Sequence, residues 1–83
     1  MARYFFHILG DSSETRDEQG AEFTSLDQVR REAMHLLPEI ARDAVPKDGD
    51  HQSFTVLVTD EAGRPVYTAT LTFAGLWLIQ AVE

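Results

Sequence analysis

One stretch limits what this chain can fold into. Leu26, Val29, Ala33, Leu36, Leu37, Ile40 and Ala44 recur at helical spacing, which gathers them on a single apolar stripe. Asp27, Arg30, Arg31, Glu32, His35, Glu39, Arg42 and Asp43 fall mostly on the opposite side, with Asp27 and Arg31 spaced to pair. A helix with one greasy side needs a surface to lie on. In 83 residues there is room for one domain and one core, so the rest of the chain has to supply that surface.

Strand-like segments flank the helix on both sides. Arg3 to Leu9 is aromatic and β-branched, with Tyr4, Phe6 and Ile8 alternating against Phe5, His7 and Leu9. Gly10 to Gly20 is polar and acidic and reads as a hairpin loop, with Ala21 to Phe23 returning as a short second strand. Ser53 to Thr59 carries Phe54, Val56 and Val58 on one face and Leu57 between threonines on the other. Asp60-Glu61-Ala62-Gly63 is a turn, and Val66 to Phe73 completes a second hairpin, with Pro65 suited to the start of an edge strand. The helix opens on Ser25, whose hydroxyl and the Gln28 amide suit a capping box. Pro38 predicts a kink within one helix, since the stripe keeps its phase across it, and Pro46 is expected to end it.

The order is thus ββαββ, an α+β domain with a four-stranded antiparallel sheet and one helix on one face. Residues 1–83 form a single domain, with a core over 3–73 and an apolar extension over 74–83. That extension holds Leu76, Trp77, Leu78, Ile79 and Val82, an unusual load for a chain end. It can pack as a strand or a helix, on its own domain or on another copy.

Four features resemble a known family. Tyr4-Phe5-Phe6-His7 lies at the start, Asp17-Glu18-Gln19-Gly20 precedes the short strand, Leu26-Asp27 opens the helix, and Thr59-Asp60-Glu61-Ala62-Gly63-Arg64 forms the late turn. In this order they resemble a family of short bacterial proteins, frequent in alphaproteobacteria and catalogued as a domain of unknown function. The resemblance covers roughly residues 3 to 73 and implies the fold above, a bacterial cytoplasmic setting and no assigned activity. It also implies that Leu76 to Val82 is a departure, as is Ile8-Leu9-Gly10-Asp11 where the family carries a basic turn. The strand, acidic loop, strand and helix opening is similar in topology to antitoxin domains of HicB type.

Charge narrows the partners. The net charge is -7, and Arg3, Arg16, Arg30, Arg31, Arg42, Lys47 and Arg64 are scattered among acidic residues, which disfavours nucleic acid and anionic lipid. The apolar run from Phe73 to Ile79 is too short to span a bilayer. No cysteine is present, so disulfides and thiolate chemistry are excluded and a reducing cytoplasm is the expected compartment.

No catalytic set stands out. Asp11, Ser13, Thr15, Asp17, Gln19 and Glu22 fall at the ligand spacings of a calcium loop, but Arg16 occupies its glycine position. His7 could face Glu22 across the first hairpin as a base or ligand, while His35 and His51 are isolated. Ser12, Ser13 and Ser25 have no glycine elbow or histidine partner. Neither a cofactor nor a metal is expected. The surplus is hydrophobic: Phe5, His7, Leu9, Leu57, Leu76, Trp77 and Ile79 form a candidate interaction surface. The leading expectation is a non-catalytic protein-interaction or regulatory module acting as a homodimer. The alternatives are a ligand- or metal-binding protein or minor enzyme using His7 and the acidic loop 10–22, and an antitoxin-like partner of a basic protein.

Overall fold

The computed structural model of the chain describes residues 1–11 and 13–79. Ser12 and residues 80–83, including Val82 of the apolar extension, lie outside them. The elements run β1 (Ala2–Leu9), β2 (Glu14–Thr15), β3 (Ala21–Phe23), α1 (Leu26–Asp48), β4 (His51–Thr59) and β5 (Pro65–Ala74). The fold is α+β, one helix on an antiparallel sheet.

The strand order is β2-β1-β4-β5, with β3 also on β1. β2 and β3 therefore share one edge position. Ile8 and Leu9 pair with Thr15 and Glu14, and Ala2 to Tyr4 pair with Phe23 to Ala21. The loop expected over residues 10–20 thus holds a short strand, because the turn in which the Gly10 amide donates to the Ser13 carbonyl folds it back on β1. β4 is central, with Phe6, Ile8, Val56, Val58, Tyr67, Ala69 and their neighbours in continuous register across three strands.

Burial follows the pleat. Phe54, Val56 and Val58 of β4 meet Val29, Ala33 and Leu37 of α1, and these six are the buried hydrophobic core. Removing a valine or leucine side chain from water contributes about 1.5–3 kcal/mol, so this seam sets where the helix lies. Tyr4, Phe6 and Phe23 extend it, with tilted ring pairs at 6.2 and 5.6 Å that tie β3 to β1. Leu26 departs from the expected stripe. It is 63% exposed.

The helix begins as its cap dictates. Ser25 is extended (φ -153°, ψ 159°) and its Oγ accepts from the Gln28 amide at 3.2 Å. Gln28 Oε1 reaches one residue further back than a capping box requires, accepting from the Thr24 amide and hydroxyl. The helix is one unbroken element through Pro38. It also runs through Pro46, against expectation, and stops at Gly49 (φ 107°). A tertiary contact holds this end. Buried Gln52 donates from Nε2 to the carbonyls of Val45 and Gly49 at 3.1 and 2.7 Å, capping acceptors at the helix end, where the last turn's carbonyls lack intrahelical donors. Gln52→Leu keeps the volume and removes both bonds. It should cost about 1–2 kcal/mol in denaturant unfolding and raise hydrogen exchange in the last helical turn; an unchanged midpoint would refute this cap.

Candidate functional site

The first hairpin gathers the sequence's most reactive-looking groups, and the structure gives them structural partners. Asp17 lies where the ladder between β1 and β3 has stopped and that between β1 and β2 has not begun. Its Oδ2 accepts from the Phe6 amide at 3.0 Å, and its Oδ1 from the amides of Gln19 and Gly20 at 3.1 and 3.0 Å. The carboxylate stands in for the missing strand. Burial alone would raise its pKa, but the Gly20, Phe6 and Gln19 amides outweigh that and hold the carboxyl below its ordinary range.

His7 completes this arrangement. The Asp17 amide donates to its Nδ1 at 3.1 Å, so the ring proton sits on Nε2, which faces Thr59 Oγ1 at 3.1 Å. Both nitrogens are engaged, leaving no free lone pair for a base or ligand. The expected Glu22 partner is replaced, because the register sets Glu22 opposite Arg3, with a 3.2 Å ion pair. The calcium-like spacing does not converge either. Asp11 lies 3.4 Å from the Ser53 amide, Asp17 holds three amides, and Glu22 pairs with Arg3. Among the described residues no group of three or more His, Asp or Glu side chains is placed to hold a metal ion.

Other candidates resolve similarly. His35 and His51 are exposed and apart. Asp60 staples its turn: Oδ1 accepts from the amides of Ala62 and Arg64, and Oδ2 from Arg64 Nε. The Arg64 amide is foremost in holding this carboxyl below its usual range, against some desolvation and helped by the Arg64 side chain and the Ala62 amide. A cleft of about 620 Å³ lies between the β1–β2 turn, the C-terminal half of α1 and the start of β4. Its lining includes Asp11, Ser13, His51 and Gln52, but the Gln52 amide nitrogen already caps the helix, and among the described residues no serine or threonine hydroxyl is hydrogen-bonded to His51 there.

The hydrophobic candidates are arranged differently. Phe5, His7 and Leu9 of β1 and Leu57 of β4 share the sheet face away from the helix, with His7 directly opposite Leu57. They are half-buried and interleaved with hydroxyls. Thr55 and Thr70 approach to 2.8 Å, Ser53 and Thr72 to 3.2 Å, and the Thr68 hydroxyl donates to the Val56 carbonyl. The face is therefore mixed. Leu76, Trp77, Leu78 and Ile79 are instead 73–92% exposed, in neither helix nor strand, and they do not fold back over it.

Sequence reasoning missed the full extent of this exposed set. Nine large hydrophobic residues are exposed among the described residues, and seven of them (Leu26, Val66, Phe73, Leu76, Trp77, Leu78 and Ile79) lie on β5, just beyond it, or at the helix start near it. The available signal was charge: from Pro65 to Val82 there is not one Asp, Glu, Lys or Arg.

No helix of the described residues is long and apolar enough to cross a membrane. No curated protein and no solved structure matches the chain significantly. A family model does match, over residues 3–72, which takes in β1 through most of β5. The stapled first hairpin, the single capped helix and the Asp60 turn all lie within that span, and the chain belongs to the family described as Domain of unknown function (DUF6894).

Proposed function

We propose that this protein is a non-catalytic interaction module of the cytoplasm that acts as a homodimer. One observation carries the reading: the exposed hydrophobic residues cluster around β5 and the segment after it, where water contact is unfavourable and a partner would remove it. Self-association is the commonest way to cover such a surface. The engagement of both His7 nitrogens and the three amides held by Asp17 support a structural role for the first hairpin. The absence of cysteine suits a reducing compartment.

Light scattering and sedimentation equilibrium test this directly, with twice the chain mass expected at micromolar concentration. Trp77 is the sole tryptophan, so its emission reports the same event and should shift to the blue as the dimer forms. A chain that stays monomeric at sub-millimolar concentration, with water-exposed tryptophan emission, would overturn the proposal.

A further inference from the structure

We infer that two copies join through the outer edges of β5, antiparallel about a two-fold axis at Thr70, making one continuous sheet. The segment after β5 of each copy then docks at the start of β5 of the other. This rests on the dimeric reading above and adds to it the axis, the register and the role of the tail.

The two edges of the sheet are treated differently. On the β1 side, β2 and β3 occupy the edge, and Asp17 fills the gap between them. On the other side β5 runs for ten residues, and among the described residues nothing pairs with its outer edge. Natural sheets protect such an edge with lysine, inward charges, internal proline or a bulge. In β5 no residue is charged, its proline is the first residue, and the register shift lies at the same end, opposite Thr59. The rest of the edge is open to another strand.

The strand is complementary to itself. With Thr70 on the axis, Thr68 meets Thr72 of the second copy, Ala69 meets Leu71, and Tyr67 meets Phe73. Threonines stay with threonines on the hydroxyl face and apolar residues stay together on the helix face. The Tyr67–Phe73 pair supplies cross-strand aromatic contact, and Phe73 is 42% exposed without a partner.

The same register gives the tail a destination. It sets Gly75 beside Pro65 of the second copy, so Leu76 and Trp77, at about 3.3 Å per residue, pass the start of that strand. There the structure has a recess of about 360 Å³ lined by Leu26, Val29, Val66 and Tyr67, with Asp27 and Arg30 also in its lining, and Leu26 is 63% and Val66 40% exposed. Tail and recess are exposed and mainly apolar, and this register brings them together. At roughly 150–250 Å² for an aromatic side chain and less for leucine or isoleucine, Leu76 to Ile79 expose on the order of 600 Å² per chain. Covering both tails would bury up to about 1,200 Å², and the paired strand edges add to it, which reaches the range of a stable pair.

The chain has no cysteine, so single-cysteine variants report the geometry. Thr70→Cys should give a disulfide-linked dimer on mild oxidation, and Thr55→Cys, one strand further in on the same face, should not. Thr70→Lys sets like charges against each other on the axis and should weaken dimerisation about ten-fold or more, returning Trp77 emission to the red with the circular dichroism spectrum unchanged. A wild-type dimer in which Thr55→Cys cross-links instead, or which tolerates Thr70→Lys at undiminished affinity, would overturn the edge pairing and leave the dimer standing. A wild-type dimer with red-shifted Trp77 emission would overturn the tail docking. A monomeric wild type would remove both readings.

Discussion

Gly20→Ala is expected to destabilise the fold by about 3 kcal/mol and to release β3 from β1 before the rest of the sheet opens. Gly20 has φ 69°, a left-handed conformation that costs a side-chain-bearing residue about 1–2 kcal/mol. A Cβ there would lie 2.8 Å from the Tyr4 carbonyl oxygen and 2.9 Å from a Phe5 ring carbon. The oxygen belongs to a strand and cannot give way cheaply, so the two costs add. Hydrogen exchange should show the effect locally. Protection should fall first at residues 2–4 and 21–23, while the β4 core around Val56 holds until global unfolding. An alanine variant with wild-type stability would mean that the β1–β3 approach is looser than these distances describe.

The second large effect is at Asp17. Asp17→Asn should cost about 2 kcal/mol at neutral pH. Three amides point at the carboxylate, and hydrogen bonds to a charged acceptor are worth more than neutral ones, though water near the loop reduces the sum. Asparagine has one acceptor oxygen, so its NH₂ must face either the Phe6 amide or those of Gln19 and Gly20. The pH dependence has a definite sign. The folded-state pKa lies below the unfolded value of about 3.9, so the charged form stabilises the fold above that value and this contribution disappears as pH falls through the lower folded pKa. The gap between wild type and variant should therefore be full at neutral pH and close in strong acid. A gap of constant size in urea titrations across that range would show that the charge is not what holds the hairpin.

These effects fall on residues whose roles a linear reading did not assign. Asp17 and Gly20 could be recognised as loop residues, but not that one would occupy the gap in a ladder and the other pass under Phe5. His7 shows the difficulty most directly. Its place on the outer face follows from alternation, whereas its partners follow from register, which sets Glu22 against Arg3 and leaves His7 to the Asp17 amide and Thr59. Register depends on pairing energies summed over whole strands, and no single residue announces it. β2 was hidden for the same reason. Two residues have no period of their own, and Glu14–Thr15 is a strand only because Ile8 and Leu9 lie beside it.

Local chemistry was legible where an element carries its own signal. The helix stripe, the Ser25 cap, the alternation of β4 and the Gly63 turn (φ 81°) each occupy a few consecutive residues and each appears where its pattern placed it. The helix end was not: the helix runs through Pro46 to Asp48, and Gln52, beyond the helix, caps the Val45 carbonyl. The candidate surface divides along the same line. Its apolar members could be named from composition, but only the structure separates the half-buried, hydroxyl-rich face of Phe5, Leu9 and Leu57 from the exposed segment of Leu76, Trp77 and Ile79.

By itself, then, the sequence determined an α+β domain with one helix on an antiparallel sheet, because periodicity and capping act between near neighbours and need no knowledge of the fold. Pro65 marked β5 as an edge strand from the sequence, and β5 is one; tertiary structure decided that the opposite edge is closed by β2, β3 and Asp17 while β5 stays open along its length. A proline can mark where an edge strand starts, but which strands lie beside it and how much of the edge they cover is a property of the strand order β2-β1-β4-β5.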